Sequence, residues 1–186
     1  MEDKQIIELY WNRLENAIEE TSRKYGRYCH YIANNILRNK EDSEECVNDS
    51  YFKLWNVIPP HKPQSLRAFL GKITRNQALH LWEKNQAKKR KADSVSIVLE
   101  ELSDCIPGSD NVEQITEHMV LVDALNHFLE ELTPEHRNIF MTRYWYFASI
   151  KEIASKYDLS ESKVKMTLSR LRQKLKEILE KEGIVL

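Results

Sequence analysis

Apolar residues recur at helical spacing through most of the first third of the chain. Between Lys4 and Leu37 they lie three or four positions apart, as in Ile6, Tyr10 and Leu14. This spacing predicts an amphipathic helical region whose apolar stripe faces a core. We expect one break in it, between Ser22 and Gly26.

Two further helices are predicted on either side of a proline-rich loop. In the segment 43–58, apolar side chains share one helical face and polar side chains the other, so one face is free to bind a partner. The loop PPHKPQ follows at 59–64, since proline does not continue a helix, and Ser65 is a typical cap for the next helix.

This next helix, predicted over 66–91, interleaves basic residues with an indole. Arg75, Trp82 and Lys89 recur on one of its sides. Such a surface suits a nucleic-acid strand, whose bases stack on aromatic rings while its phosphates are neutralised. Ordinary packing of Trp82 against the first helical region remains the alternative.

The helical pattern weakens between residues 92 and 111, where SDCIPGSDN is typical of a linker. Four helices are predicted beyond it, over 112–132, 134–147, 150–157 and 162–180. Thr133 and Pro134 give the second of these an N-cap and a first-turn proline.

The last two predicted helices form a helix-turn-helix pattern. Ala154 is small where the second helix must cross, and Ser160 is a suitable N-cap for that helix. Its inward stripe includes Val164 and Leu168. Its outward side chains can bond base edges, contact thymine methyl groups and neutralise phosphates in a major groove. They are Ser162, Lys163, Lys165, Met166, Ser169 and Arg170.

Composition limits the fold and function classes. Of the 186 residues, 41% are hydrophobic, 31% are charged and only four are glycine, which favours an all-α protein of two small domains. No apolar run approaches the length of a membrane span, so we expect a cytoplasmic protein without membrane insertion. The sequence contains no catalytic motif, and its three scattered cysteines match no metal site. We therefore expect no enzyme activity, no cofactor and no small-molecule substrate.

Charge is distributed in blocks, although the net charge is only −1. Residues 62–91 contain nine basic residues and one acidic residue, and residues 137–186 contain eleven and six. The 45 residues between them contain eleven acidic residues and no lysine or arginine. This arrangement indicates two polyanion-binding surfaces joined by an acidic connector.

The chain resembles the extracytoplasmic-function (ECF) sigma factors of the sigma-70 family. The resemblance rests on YCHYIANNILRNKEDSEECVNDSYFKLW and AFLGKITRNQALHLW in the first half, and on LTPEHRNIFMTRYW and IKEIASKYDLSESKVKMTLSRLRQKL in the second. It implies a sigma region 2-like helical bundle over 1–94, an acidic linker over 95–110, and a sigma region 4-like helix-turn-helix domain over 111–186.

The resemblance also implies which residues bind. A helix that docks on the clamp of RNA polymerase would carry Asp42, Glu45, Asn48, Asp49 and Lys53. The residues implied at the minus-ten element are Asn56, Lys62, Arg75, Asn76, Trp82, Lys84, Lys88, Lys89 and Arg90. The outward row of the last helix would read the minus-thirty-five element. His80, Glu83 and the pair Ser162-Lys163 depart from common family patterns, so the promoter sequence cannot be transferred from relatives.

By this resemblance the protein directs core RNA polymerase to promoter DNA and assists opening of the duplex. Its expected partners are core RNA polymerase, promoter DNA and an anti-sigma protein. The alternative is a two-domain helix-turn-helix regulator that acts without polymerase.

Overall fold

The computed structural model describes residues 1–86, 94–103 and 115–182, and within these ranges the chain is α-helical with no strand. The chain divides into two compact units, Met1–Lys91 and Ala92–Leu186. The expected all-α class with two small helical domains is therefore confirmed.

The first unit is a bundle of three long helices with a short helix against one of them. Its elements are α1 (Asp3–Trp11), α2 (Asn16–Leu37), α3 (Lys40–Val57) and α4 (Leu66–Gln86). Helices α2, α3 and α4 pack against one another, and α1 packs on α2. Fully buried side chains from all four helices form the core, among them Tyr10, Ile32, Leu54 and Leu70.

Side-chain caps mark the beginnings of α3 and α4. The Ser65 hydroxyl accepts a hydrogen bond from the Ala68 amide at 3.2 Å, which confirms the predicted cap of α4. The side chain of Asn39 plays the same part for α3 and accepts from the Asp42 amide at 3.0 Å. Each cap satisfies a backbone donor that has no partner within the helix.

The predicted break between Ser22 and Gly26 is wrong, because α2 runs through it without interruption. Thr21 and Cys29, on either side of this segment, and Tyr25 within it are all buried. Their packing outweighs the helix cost of a glycine, which is only about 1 kcal/mol. The chain turns instead between α1 and α2, and Leu14, predicted to face the core, is 48% exposed in that turn.

The second unit contains five helices. They are α5 (Ser94–Ser103), α6 (Ile115–Glu131), α7 (Pro134–Tyr144), α8 (Ile150–Tyr157) and α9 (Glu161–Lys181). Helix α9 is central, because α6, α7 and α8 all pack against it, while α5 packs on α7. The Thr133 hydroxyl accepts from the His136 amide at 3.3 Å, so the predicted cap of α7 is confirmed.

The acidic linker predicted over 95–110 is in part a helix. Helix α5 occupies the first nine of those positions, and its Val95 and Val98 are completely buried. The compact second unit accordingly begins at Ala92 rather than at the predicted position 111. The correction concerns 95–103, since 104–114 lie outside the described residues.

A buried ion pair fastens α5 to the rest of the unit. The Glu101 carboxylate accepts from the Arg143 guanidinium at 2.8 and 3.1 Å, and Arg143 is only 3% exposed. The same carboxylate accepts from the Tyr144 hydroxyl at 3.2 Å and lies 3.5 Å from Arg172 of α9. A third helix joins the network directly, because Arg172 donates to the Tyr144 hydroxyl at 2.7 Å. Sequence periodicity did not reveal this network, because its partners are on different helices and at least 28 positions apart in the sequence.

Within the described ranges, no helix is both long enough and apolar enough to cross a lipid bilayer.

Replacement of Glu101 should destabilise the second unit. Glu101→Ala leaves the buried charge of Arg143 without its carboxylate, and we expect a loss of about 3 kcal/mol in the free energy of unfolding. Chemical denaturation followed by circular dichroism measures this change. Glu100→Ala, on the exposed side of the same helix, is the matched control and should change stability little. Equal stabilities of the two variants would contradict the role given to the ion pair.

Candidate nucleic-acid interface

Helices α8 and α9 form the predicted helix-turn-helix. Ile153 and Ala154 of α8 are buried against its neighbours, and the Tyr157 hydroxyl lies 2.9 Å from that of Thr142 on α7. A capping box begins α8, where Ser149 and Glu152 bond each other's backbone amides at 3.2 and 2.6 Å. Sequence reasoning did not identify this cap, although Ser and Glu stand at the spacing that a capping box requires.

The tight turn between the two helices depends on one residue in a left-handed conformation. Asp158 ends α8 with a φ of 53°, a conformation that aspartate tolerates better than most residues. The Leu159 amide then donates to the Ala154 carbonyl at 2.9 Å, and the Ser160 hydroxyl accepts from the Lys163 amide at 3.2 Å. The predicted Ser160 cap is confirmed, and it sets the direction in which α9 leaves the turn.

The two faces of α9 differ sharply in burial. Its inward stripe, which includes Val164, Leu168 and Leu175, is buried, as predicted. The outward residues are all exposed, and Met166 reaches 53% exposure. They are Ser162, Lys163, Lys165, Met166, Ser169 and Arg170. Hydroxyl, cationic and apolar groups thus share one accessible face at the N-terminal half of a helix, the combination that a major groove accepts.

Helix α8 contributes two basic side chains to the helix-turn-helix. Lys151 and Lys156 are exposed, and the Lys156 ammonium lies 5.4 Å from the centre of the Tyr157 ring. The first helix of a helix-turn-helix crosses the phosphate backbone, so its exposed lysines are suited to phosphates. Sequence reasoning missed them, although both fall outside the apolar stripe of that helix. Lys174 of α9 differs, because it pairs with Glu131 at 2.9 Å.

The predicted strand-binding side of α4 is only partly accessible. Arg75 and Trp82 are half-buried, and burial lowers the pKa of the Arg75 guanidinium. Asn76 and Lys84 are exposed on the same helix. Arg75 and Trp82 therefore expose only part of their side chains, because their side of α4 borders the bundle. Lys88, Lys89 and Arg90 lie outside the described residues.

Asn56 and Lys62 are exposed where the chain passes from α3 to α4. Asn56 is on the last turn of α3, and Lys62 is in the loop that follows. Asn56, Lys62 and the accessible residues of α4 all belong to the first unit. The basic block of residues 62–91 therefore presents at least Lys62 and Lys84 to solvent.

The outer face of α3 is polar, as predicted, and carries an aromatic residue that sequence reasoning missed. Glu45, Asn48, Asp49 and Lys53 are exposed. Asp42 is half-buried and accepts from the Asn85 amide group at 3.3 Å. Phe52 lies among them and is 66% exposed. Its position, seven residues after Glu45, was sufficient to place it on this face.

The described residues include two cysteines and no group of metal-ligating side chains. Cys29 and Cys46 are buried thiols, and burial raises their pKa to about 11 and about 12. They behave as small core residues, whereas Cys105 lies outside the described residues. Across the part of the chain that the structure describes, no three His, Cys, Asp or Glu side chains are grouped to hold a metal ion.

Comparison with protein families identifies both units. The family model described as "Sigma-70 region 2" matches residues 22–88, and the family model described as "Sigma-70, region 4" matches residues 128–177. The first match spans most of the bundle from α2 to α4. The second includes the helix-turn-helix. Helices α1 and α5 lie outside both matches.

A curated relative matches across both units. The ECF RNA polymerase sigma factor SigE of Mycolicibacterium smegmatis (strain ATCC 700084 / mc(2)155) is 24% identical over 166 residues. The match covers 89% of this chain and 62% of the relative, so the chain spans less than two thirds of the relative's length. A solved structure of CnrH in complex with the cytosolic domain of CnrY is 18% identical, with a TM-score of 0.44, and the match covers 96% of this chain and 97% of that one.

Loss of the Ser160 cap should loosen α9. Ser160→Ala removes the acceptor for the Lys163 amide, and we expect the free energy of unfolding of the second unit to fall by about 1 kcal/mol. Ser162→Ala, two residues further and exposed, is the matched control and should leave stability nearly unchanged. Denaturant titration of both variants measures the difference. Equal loss in both would show that the Ser160 hydroxyl does not cap the helix.

Proposed function

The chain belongs to the sigma-70 family, and from this premise we propose that it directs core RNA polymerase to specific promoters and assists DNA opening. The observation that carries the proposal is the combination of two units in one chain. One is a helix-turn-helix with an exposed recognition face, and the other is a bundle that matches sigma region 2. A helix-turn-helix alone would fit many DNA-binding proteins, whereas this pairing is typical of sigma factors.

We assign the second unit to the minus-thirty-five element. In this proposal Lys165 and Arg170 bond bases or phosphates, Ser162 and Ser169 bond base edges, and Met166 contacts thymine methyl groups. The exposure of all of them on one side of α9 supports the assignment. Lys163 at the edge of the row, with Lys151 and Lys156 of α8, is suited to phosphates of the same groove.

We assign the first unit to the minus-ten element. Asn56 and Lys62 at the loop, and Asn76 and Lys84 on α4, are the accessible members of the predicted set. Lys88, Lys89 and Arg90 are proposed to continue the basic surface along the strand. Arg75 and Trp82 are proposed to support these contacts from their half-buried positions. Unstacking a base costs a few kcal/mol, so a protein that assists opening must hold the displaced strand.

We assign the outer face of α3 to core RNA polymerase. Its charged and amide groups, Glu45, Asn48, Asp49 and Lys53, surround the exposed Phe52. An aromatic anchor within a polar rim is a common arrangement at protein interfaces. The half-buried Asp42, bonded to Asn85, is proposed to border this surface rather than to lie at its centre.

The remaining expectations follow from the same role. The chemistry of transcription belongs to the polymerase, so we propose no catalytic activity, cofactor or small-molecule substrate for this chain. It would act in the cytoplasm, and an anti-sigma protein that holds it inactive is proposed from the family resemblance.

The affinity of the chain for promoter fragments, measured with and without core polymerase, tests this proposal against the alternative of a regulator that acts without polymerase. A sigma factor should bind promoter fragments weakly alone and gain affinity when core polymerase is present. A regulator that acts without polymerase should bind its duplex site alone, normally as a dimer on a palindrome. Affinity that is high without core polymerase and does not change on its addition would overturn the proposal.

Variants of α9 should affect promoter recognition without affecting assembly. We expect Lys165→Ala with Arg170→Ala to weaken promoter binding by the assembled holoenzyme at least tenfold, because two contacts of about 1 kcal/mol or more are lost. Lys181→Ala, exposed at the far end of α9, is the control. Equal binding by both variants would contradict the assignment of α9.

Variants of α3 should affect assembly with core polymerase rather than promoter recognition. We expect Phe52→Ala to weaken binding to core polymerase about tenfold, as the loss of a buried aromatic anchor does. Tyr31→Ala is the matched control, because Tyr31 is also an exposed aromatic residue, at 41%, but on α2. Affinity for core polymerase can be measured by fluorescence anisotropy of the labelled chain. An unchanged affinity for Phe52→Ala would reject the assignment.

A further inference from the structure

The turn between α1 and α2 is fastened to the end of α3. Arg13 donates from Nη1 to the Trp55 carbonyl at 2.5 Å, and its guanidinium lies 5.3 Å from the centre of the Trp55 ring. Tyr10 meets the same indole edge-on at 6.0 Å. Arg13 has a φ of 55°, which is uncommon for a residue other than glycine. These contacts hold the end of α1 beside the beginning of the loop that follows α3.

An exposed indole and a lysine lie close together where the end of α1 approaches the loop that follows α3. Trp11, the last residue of α1, is 44% exposed. The Lys62 ammonium, from the loop, lies 5.9 Å from the centre of its ring. This is the outer limit of a cation–π contact, so the interaction is weak and the lysine can leave the ring at little cost.

The pair has the chemistry of a site for single-stranded nucleic acid. An indole offers a flat surface on which any unpaired base can stack, and a lysine beside it can neutralise the adjoining phosphate. In a duplex the base faces are covered by their neighbours, so this surface selects an unpaired strand. Lys62 also begins the basic block of residues 62–91, whose net charge is +8 from nine basic residues and one acidic residue.

We infer that Trp11 and Lys62 form a strand-binding site, in which a base of the displaced DNA strand stacks on the indole while the Lys62 ammonium contacts its phosphate. The inference rests on the proposed function, and it adds a contact from α1, which lies before the part of the chain that matches sigma region 2. Arg13 is a positioning residue in this site, since its guanidinium already binds Trp55.

Two probes separate stacking from charge. One is a fluorescein-labelled oligothymidine of about 12 nucleotides, and the other is an abasic oligonucleotide of equal length, which has the same phosphates without bases. Trp11→Ala should weaken binding of the full chain to oligothymidine about tenfold, the effect of losing one stacked base. It should leave binding to the abasic strand unchanged. Trp11→Phe should retain most of the affinity, because an aromatic surface remains.

Lys62→Ala should weaken binding to both probes and reduce the slope of log affinity against log salt by about 0.7, the value for one phosphate contact on a single strand. Leu14→Ala is the control, because Leu14 is exposed in the same turn and has no ring. The inference is overturned if the unaltered chain binds both probes equally, or if Trp11→Ala weakens both to the same extent. These titrations contain no polymerase, so their failure is distinguishable from failure of promoter-directed binding by the holoenzyme.

Discussion

The buried charge of Arg143 is the constraint on which the second unit depends. A guanidinium withdrawn from water requires a carboxylate and further hydrogen bonds, and both are supplied from outside α7. Glu101 brings in α5, and the Arg143 guanidinium also donates to the Ala148 carbonyl at 3.0 Å, just before α8 begins. Through Tyr144 and Arg172 the same network reaches α9. Helix α9 is thereby held by polar contacts as well as by its apolar stripe.

This arrangement leaves the outward face of α9 unconstrained by the fold. Its core contacts come from positions such as Leu168 and Leu171, and its orientation is set by the Ser160 cap and the network around Arg143. The outward residues therefore contribute little to the fold, which leaves them available for the proposed contacts with DNA. The first unit follows the same division, since α3 packs through Cys46, Tyr51 and Leu54 while Phe52 and its polar neighbours remain outside.

Much of the fold could be predicted from local patterns. The helices α8 and α9, with Val164 and Leu168 turned inward, follow from apolar spacing, and Ser65 and Ser160 were recognisable as caps because capping is a local interaction. The break expected near Gly26 and the linker expected over α5 failed for one reason. In both, contacts from distant helices stabilise a helix that its own sequence supports only weakly.

The candidate site was less predictable than the fold, because accessibility depends on how helices pack. The spacing of Arg75 and Trp82 placed them on one side of α4, but only the packed bundle reveals that this side is half-buried. Trp11 and Lys62 are 51 positions apart, so their proximity could not be read from spacing. The family resemblance implied site residues between Asp42 and Arg90 and on α9, and it implied none on α1 or α5.

We propose that this chain confers promoter specificity on core RNA polymerase. Run-off transcription on genomic DNA from the source organism tests it most directly, with core polymerase alone and with core polymerase plus the purified chain. We expect transcripts with defined start sites that appear only when the chain is added. Transcripts that are the same with and without the chain, across all genomic templates, would contradict it.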